Sequence, residues 1–155
     1  EAIRYGAMLE VPALAEQLDV LAPKLSFLSI GTNDLTQFLF AADRANPKLA
    51  ERYDWLSPAI LRFLKRVMQS VAGHNVDVTV CGEMGGRRLE ALALMGIGIR
   101  RLSITPASVG PIKELVRKVD LEEIGAAMNG WLAAPPRDLR AALTTWAQER
   151  GIDCD

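Results

Sequence analysis

Two cysteines and a single histidine are the whole thiol and imidazole content of this sequence. Cys81 and Cys154 lie far apart, with neither a Cys-x-x-Cys pair nor a Cys/His ligand spacing, which argues against a disulfide framework and a structural zinc site. Unpaired thiols suit a reducing compartment, so a cytoplasmic location is expected. There is no run of about 18 apolar residues, so no membrane-spanning helix is expected. The start, Glu1-Ala-Ile-Arg-Tyr5, reads as neither a signal nor a transit peptide, and a soluble chain is expected. Charge of one sign is scarce too: 18 basic against 19 acidic side chains, a net charge of −1, without long runs. That balance provides no electrostatic footprint for nucleic acid or an anionic membrane and favours a small ligand or a small neutral interface. Trp55, Trp131 and Trp146 have no basic cluster beside them and read as packing rather than as a stacking platform. Repeats and low-complexity tracts are missing. So is an initiator methionine, and an apolar strand begins within a few residues, so the chain reads as a piece of something longer.

Half of the 155 residues are apolar, enough for one domain with a substantial core. The stretch around which the chain is organised is Phe27-Leu-Ser-Ile-Gly-Thr-Asn-Asp-Leu-Thr-Gln37. Phe27 to Ile30 suits a buried strand, Gly31 lets the backbone turn, and Thr32 or Asn33 can cap a helix whose apolar face is Leu35, Phe38 and Leu39. A helix start offers free amide N–H groups to an anion, and the carboxylate of Asp34 beside them can hold a hard cation. The same composition also makes an ordinary turn.

Around that centre the pattern alternates. Gly6 to Val11 reads as a strand ended by Pro12, which opens a helix buried through Leu14, Leu18 and Leu21. The Asn33 helix runs to about Ala42, and Asp43 to Pro47 reads as loop. Ser57-Pro58 caps and starts a helix through Ile60, Leu61, Leu64, Val67, Met68 and Val71 that ends near Gly73-His-Asn75. Val76 to Val80 alternates as a strand, Gly85-Gly86 opens a helix through Leu89, Leu92 and Met95, and Arg101 to Thr105 forms a fourth strand. Ser108 is expected to cap a helix with Val109, Ile112, Leu115 and Val116 inside. Asp120 with Glu123 resembles a capping box for a helix to about Trp131. Pro135-Pro136 then starts the last helix, with Leu139, Leu143 and Trp146 inward and Gly151 past its end. Four strands alternating with helices predict an α/β fold with parallel βαβ units. It is either an open doubly wound sheet or half of a barrel, since eight βα units need about 250 residues.

Parallel strands gather Glu10, Asn33, Asp34, Cys81 and Thr105 at their C-terminal ends, where both architectures bind ligands. Glu10 is either a solvated strand end or, with Asp34, one of two carboxylates for Mg²⁺, which leaves its other positions to water and a substrate phosphate. Arg44 is a surface charge or a planar fork for phosphate or carboxylate. Cys81 is either a small buried apolar residue or an acid or nucleophile. His74 sits in a polar turn without a second ligand and reads as surface.

Together, Met8-Leu-Glu-Val-Pro12, Ser29-Ile-Gly-Thr-Asn-Asp-Leu-Thr-Gln37, Ala42-Asp-Arg44 and Cys81-Gly-Glu-Met-Gly-Gly86 resemble the phosphoenolpyruvate-binding domain of enzyme I, the phosphoenolpyruvate-protein phosphotransferase. The likeness covers the whole chain. Glu10-Val-Pro12, Phe38-Leu-Phe-Ala-Ala-Asp-Arg44 and Tyr53-Asp-Trp-Leu-Ser-Pro58 resemble its nitrogen-regulatory branch. The resemblance implies the C-terminal half, units five to eight, of a (β/α)₈ barrel over residues 1–118, with the family's terminal helices over 119–155. It implies Glu10 and Asp34 on Mg²⁺, Asn33, Asp34 and Arg44 on the substrate, and Cys81 as the acid that protonates the enolate carbon when pyruvate forms. The phosphoryl group would pass to a histidine on a separate N-terminal domain, from which a small histidine phosphocarrier protein takes it, and the family forms homodimers. His74 matches no part of the phosphoacceptor motif. Other readings are a binding and dimerisation module without turnover, or a piece of pyruvate phosphate dikinase or phosphoenolpyruvate synthase. The missing barrel half and histidine domain imply that this chain alone is self-associated and inactive.

Overall fold

The computed structural model describes residues 3–50 and 54–154. Tyr53 of the Tyr53-to-Pro58 motif and the first two residues lie outside them. Among the described residues, four strands, β1 (Gly6–Leu9), β2 (Phe27–Gly31), β3 (Asp77–Cys81) and β4 (Leu102–Ser103), form one sheet in the order β1-β2-β3-β4. Every pairing is parallel, as the alternation predicts. The order never reverses, so all crossovers run the same way round and their helices collect on one face. Among the described strands there is none of the reversal that a doubly wound sheet shows at its switch point. Burial agrees: Leu9, Leu28, Ile30 and Val80 are fully buried beneath the helices, while Met8 and Phe27 on the other face are 51% and 41% exposed.

The helices follow the sequence pattern with local differences. Where one helix was expected after Pro12, two four-residue helices stand, α1 (Pro12–Ala15) and α2 (Leu18–Leu21). The Gln17 N–H reaches the Leu14 carbonyl, a three-residue turn that interrupts the α pattern. Next comes α3 (Thr32–Phe40), whose N-cap is Gly31, so neither Thr32 nor Asn33 caps it. Leu35 is buried as expected but Phe38 is 53% exposed. A short α4 (Pro47–Ala50) occupies part of the segment read as loop. In α5 (Pro58–Val71), Ser57 Oγ accepts from the Ala59 N–H at 3.3 Å and the expected apolar stripe is inward. A 3₁₀ turn over Glu83–Gly86 precedes α6 (Arg88–Gly96), which begins after the glycine pair rather than on it.

Ser108 caps nothing, because α7 (Pro106–Lys118) begins two residues earlier with Thr105 as N-cap; Ser108 Oγ lies 3.1 Å from Thr105 Oγ1 instead. Ile112 and Leu115 are buried but Val109 and Val116 are 36% and 51% exposed, since the helix buries a narrower stripe than expected. In α8 (Leu121–Ala133), the Asp120 carboxylate accepts from the Glu122 and Glu123 N–H groups, and Glu123 pairs with Arg150. The last helix, α9 (Leu139–Glu149), starts at Leu139 rather than at the proline pair, because Asp138 accepts from the Ala141 N–H and takes the cap. Leu139, Leu143 and Trp146 are buried, and α8 and α9 share one apolar cluster with the strands. No helix among the described residues is long and apolar enough to cross a membrane.

Candidate active site

The register brings the singled-out residues to one rim of the sheet. Leu9 pairs with Ile30, so Glu10 follows beside Gly31, and Gly31 pairs with Cys81. A Cβ on Gly31 would stand 2.7 Å from Glu10 Cγ and 2.9 Å from its Oε1. Only glycine there lets the Glu10 side chain lie across the end of β2. Thr32, buried at the start of α3, donates from Oγ1 to the Cys81 carbonyl at 3.0 Å, and Asn33 Oδ1 accepts from the Glu83 N–H at 3.3 Å. Gly82 between them has φ +104, and a Cβ on it would meet Thr32 Oγ1 at 2.7 Å. The side chains read as helix caps thus serve to tie the end of β2 to the end of β3.

Cys81 is the last residue of β3 rather than the first of the loop. Its half-buried thiol accepts from Ser29 Oγ at 3.3 Å and donates toward the Ile30 carbonyl at 3.5 Å, so the sulfur is held in one orientation at the rim. Ser29 carried no signal in the sequence beyond its place in an apolar strand. Arg44 pairs with Asp34 at 3.3 Å, and its backbone N–H donates to Gln37 Oε1 at 3.1 Å. Asp34 stands in the first turn of α3, where the helix dipole favours a negative charge. His74 is exposed in the turn after α5.

Whether Mg²⁺ suits this rim depends on the donors. Glu10 follows β1 and Asp34 stands in the first turn of α3; both are hard oxygen donors, and Glu10 lies over a glycine that leaves it room. Among the described residues there is no group of three or more His, Cys, Asp or Glu side chains set to enclose a metal. Both carboxylates are of the oxygen type that Mg²⁺ takes, and Asp34 is ion-paired with Arg44 at 3.3 Å in this structure.

Comparison with known proteins gives the family of the chain. The PEP-utilising enzyme family, through its PEP-binding domain, matches residues 1–121. The chain belongs to that family. It is 43% identical over 129 residues to a phosphoenolpyruvate-protein phosphotransferase of Borreliella burgdorferi, covering 83% of this chain and 22% of that protein. It is 39% identical over 150 residues to a protein of Salmonella typhimurium named for the phosphoenolpyruvate-dependent phosphotransferase system, 96% of this chain and 20% of the relative. A multiphosphoryl transfer protein of Xanthomonas campestris pv. campestris is 46% identical over 112 residues, 72% of this chain and 13% of its own length. The chain therefore spans about a fifth or less of the length of these curated relatives.

A cleft of about 390 Å³ opens beside the rim, lined by Asn33, Arg44, Asp54, Trp55, Glu83, Arg87 and Arg140. The sequence reading missed its far wall. Arg140, from α9, grips both oxygens of Asp54 at 2.7 and 2.6 Å and also reaches Glu90 at 2.6 Å, which is 2% exposed within α6. Trp55, read as packing, does touch the core, yet its ring also carries the Arg87 guanidinium at 4.7 Å. The Asp54-Trp55 pair inside the Tyr53-to-Pro58 motif was the available signal.

The carboxyl of Asp54 is held below its usual 3.8: burial raises it, but hydrogen bonds from Arg140 and the Leu56 N–H, with the charges of Arg140 and Arg87, outweigh burial. The folded form then holds its proton less tightly than the unfolded form, so this contribution is complete above the unfolded value and is lost as pH falls through the folded one. Asp54→Asn is expected to flatten the acid limb of Tm against pH, measured from about pH 5 downward. Asp77, paired with Arg4 and Arg101, and Glu114, paired with Lys118 and Arg88, are lowered too and leave a residual slope. An unaltered limb in the variant would remove Asp54 from this account.

Proposed function

We propose that the chain is the metal- and proton-transfer part of a phosphoenolpyruvate-protein phosphotransferase of the nitrogen-regulatory branch, built as the second half of a (β/α)₈ barrel. The observation that carries this reading is the single rim on which Glu10, the Thr32-Asn33-Asp34 turn and Cys81 meet at successive strand ends. The one-sided sheet supports the barrel, since a barrel's inner face needs its other half to cover residues such as Met8 and Phe27. The names of the relatives support phosphoenolpyruvate as substrate and a phosphocarrier relay as the outlet. A homodimer belongs to the same reading.

In this mechanism the Asn33 side chain and the Arg44 fork hold the phosphoryl group, and Arg44 balances the charge that spreads over its oxygens in transfer. Glu10 and Asp34 would hold Mg²⁺, which when bound supplies Lewis-acid neutralisation of phosphate and enolate oxygens. The P–O bond to the enol oxygen breaks as a histidine on another domain takes the phosphorus, and the electron pair stays with the enolate. The enolate carbon then takes the Cys81 thiol proton; an S–H bond is lost, a C–H bond forms, and the thiolate is reprotonated from solvent. Ser29 and the Ile30 carbonyl keep the sulfur aimed while this happens.

The test uses the reverse half of the reaction, Mg²⁺-dependent exchange of pyruvate methyl protons, which needs no phosphoacceptor. In the native polypeptide that carries this chain, Glu10→Gln and Asp34→Asn are each expected to slow exchange by about 100-fold or more, because each removes a charged metal donor. Exchange at the wild-type rate in both variants would overturn the metal assignment.

A further inference from the structure

Three arginines line the cleft beside the rim, and they are not equally engaged. Arg140 is bound on two sides, by Asp54 and by the buried Glu90. Arg44 faces Asp34 at 3.3 Å. Arg87 is different: among the described residues its ionic contact is Glu83 at 3.9 Å, the outer limit of a pair, and its side chain is 59% exposed. Its guanidinium carbon stands 4.7 Å from the centre of the Trp55 ring.

Stacking occupies the flat face of a guanidinium and leaves its N–H edge free, so an arginine laid on tryptophan has a fixed plane and an unused fork. Such a fork fits two oxygens of a phosphate. Both halves of the arrangement are anchored. Arg87 is the residue that leads from the 3₁₀ turn into α6, so the turn that receives the Asn33 hydrogen bond also delivers Arg87 to the cleft. Trp55 is flanked by Asp54, locked to Arg140, and by Leu56, 2% exposed, whose N–H donates to Asp54 at 2.9 Å. Asp34 pairs with Arg44, and Asp54 and Glu90 pair with Arg140, at 3.3 Å or less, so of the three guanidiniums Arg87, with Glu83 at 3.9 Å, is the one least tightly held by a carboxylate.

The geometry points to Arg87 as a further phosphate-binding residue of this cleft, with Trp55 and Arg140 as positioning residues that hold its plane. The assignment rests on the phosphoenolpyruvate reading of the rim. Arg87 adds a second fork to that of Arg44 and so discriminates the phosphorylated ligand from its dephosphorylated product.

The experiment is calorimetric titration of phosphoenolpyruvate, and separately of pyruvate, into the native polypeptide that carries this chain, with Mg²⁺ present. Arg87→Ala is expected to weaken phosphoenolpyruvate binding about tenfold, the usual size of one charge-assisted contact, and to leave pyruvate binding unaltered. Arg87→Lys is expected to recover only part of the loss, because an ammonium keeps the charge but neither the fork nor the stack. Trp55→Leu is expected to fall between the two. Arg44→Ala serves as the control. If Arg44→Ala loses phosphoenolpyruvate and Arg87→Ala does not, the role of Arg87 is overturned while the reading of the rim stands. If neither variant loses it, that reading falls and takes the inference with it. An equal loss for pyruvate and phosphoenolpyruvate would move the contact to the carboxylate and overturn the phosphate assignment.

Discussion

Replacing Cys81 with serine is expected to leave phosphoenolpyruvate binding unaltered and to slow proton delivery to the enolate carbon by about 10²–10⁴-fold, the range of general acid catalysis. The substitution keeps a hydrogen-bonding group of similar size between Ser29 and the Ile30 carbonyl, so the rim should keep its shape. What it removes is acidity, because a hydroxyl gives up a proton far less readily than a thiol. Asn33 and Arg44 line the cleft, while the thiol sits at the end of β3, held by Ser29 and the Ile30 carbonyl of β2. Phosphoryl loss and carbon protonation therefore separate in the variant. Rapid quench would show phosphate transferred at near the wild-type rate, and methyl-proton exchange of pyruvate would show the defect, as a fall in kcat without a rise in KM. Full exchange in the serine variant would mean that another group, or water, is the acid.

The second large effect lies away from the rim. Arg140→Ala is expected to destabilise the domain by about 2–4 kcal/mol, a Tm lower by roughly 5–15 °C in chemical or thermal unfolding. The reason is Glu90, 2% exposed and bonded to Arg140 at 2.6 Å. Removing the guanidinium leaves a carboxylate inside α6 with its partner gone, which costs more than the pair itself is worth. The lower part of the usual range applies because the Arg140 side chain is 42% exposed and water shares in its solvation. Arg140→Met combined with Glu90→Leu is expected to regain most of the loss, since an apolar pair of matched size needs no partner. If the double variant stays as unstable as Arg140→Ala, packing rather than stranded charge explains the effect. Arg140→Ala should also free Asp54 and loosen the wall that presents Trp55, so ligand affinity falls along with stability.

The elements that the sequence predicted well were those whose signal is periodic and local. The α5 stripe from Ile60 to Val71 needed only helical spacing and the Ser57-Pro58 start, and the parallel strands needed only short apolar runs separated by helices. Boundaries went astray where two local preferences compete. Pro135-Pro136 suits a helix start, yet the Asp138 carboxylate bonds the Ala141 N–H and begins α9 three residues later. Ser108 and Thr105 both suit a cap, and Pro106 places the start at Thr105. Thr32 and Asn33 have the chemistry of caps, but their oxygens find Cys81 at the end of β3 and Glu83 in the 3₁₀ turn after it, contacts across about 50 residues that local preference does not register.

By itself the sequence determined the order of strands and helices and the end of the sheet at which polar residues collect, and it singled out Glu10, Asn33, Asp34, Arg44 and Cys81 as candidates. Side-chain period and strand direction are local properties, and parallel strands must all present the same end. Tertiary structure alone decided the rest: the unreversed strand order that puts every helix on one face, the glycine gap over which Glu10 lies, and the cleft wall of Asp54, Trp55, Arg87 and Arg140. Arg140 comes from the last helix, 86 residues beyond Asp54 and 50 beyond Glu90. Which buried carboxylate an arginine meets depends on how α9 packs against α6, and that packing is set by the whole apolar core at once rather than by any local spacing.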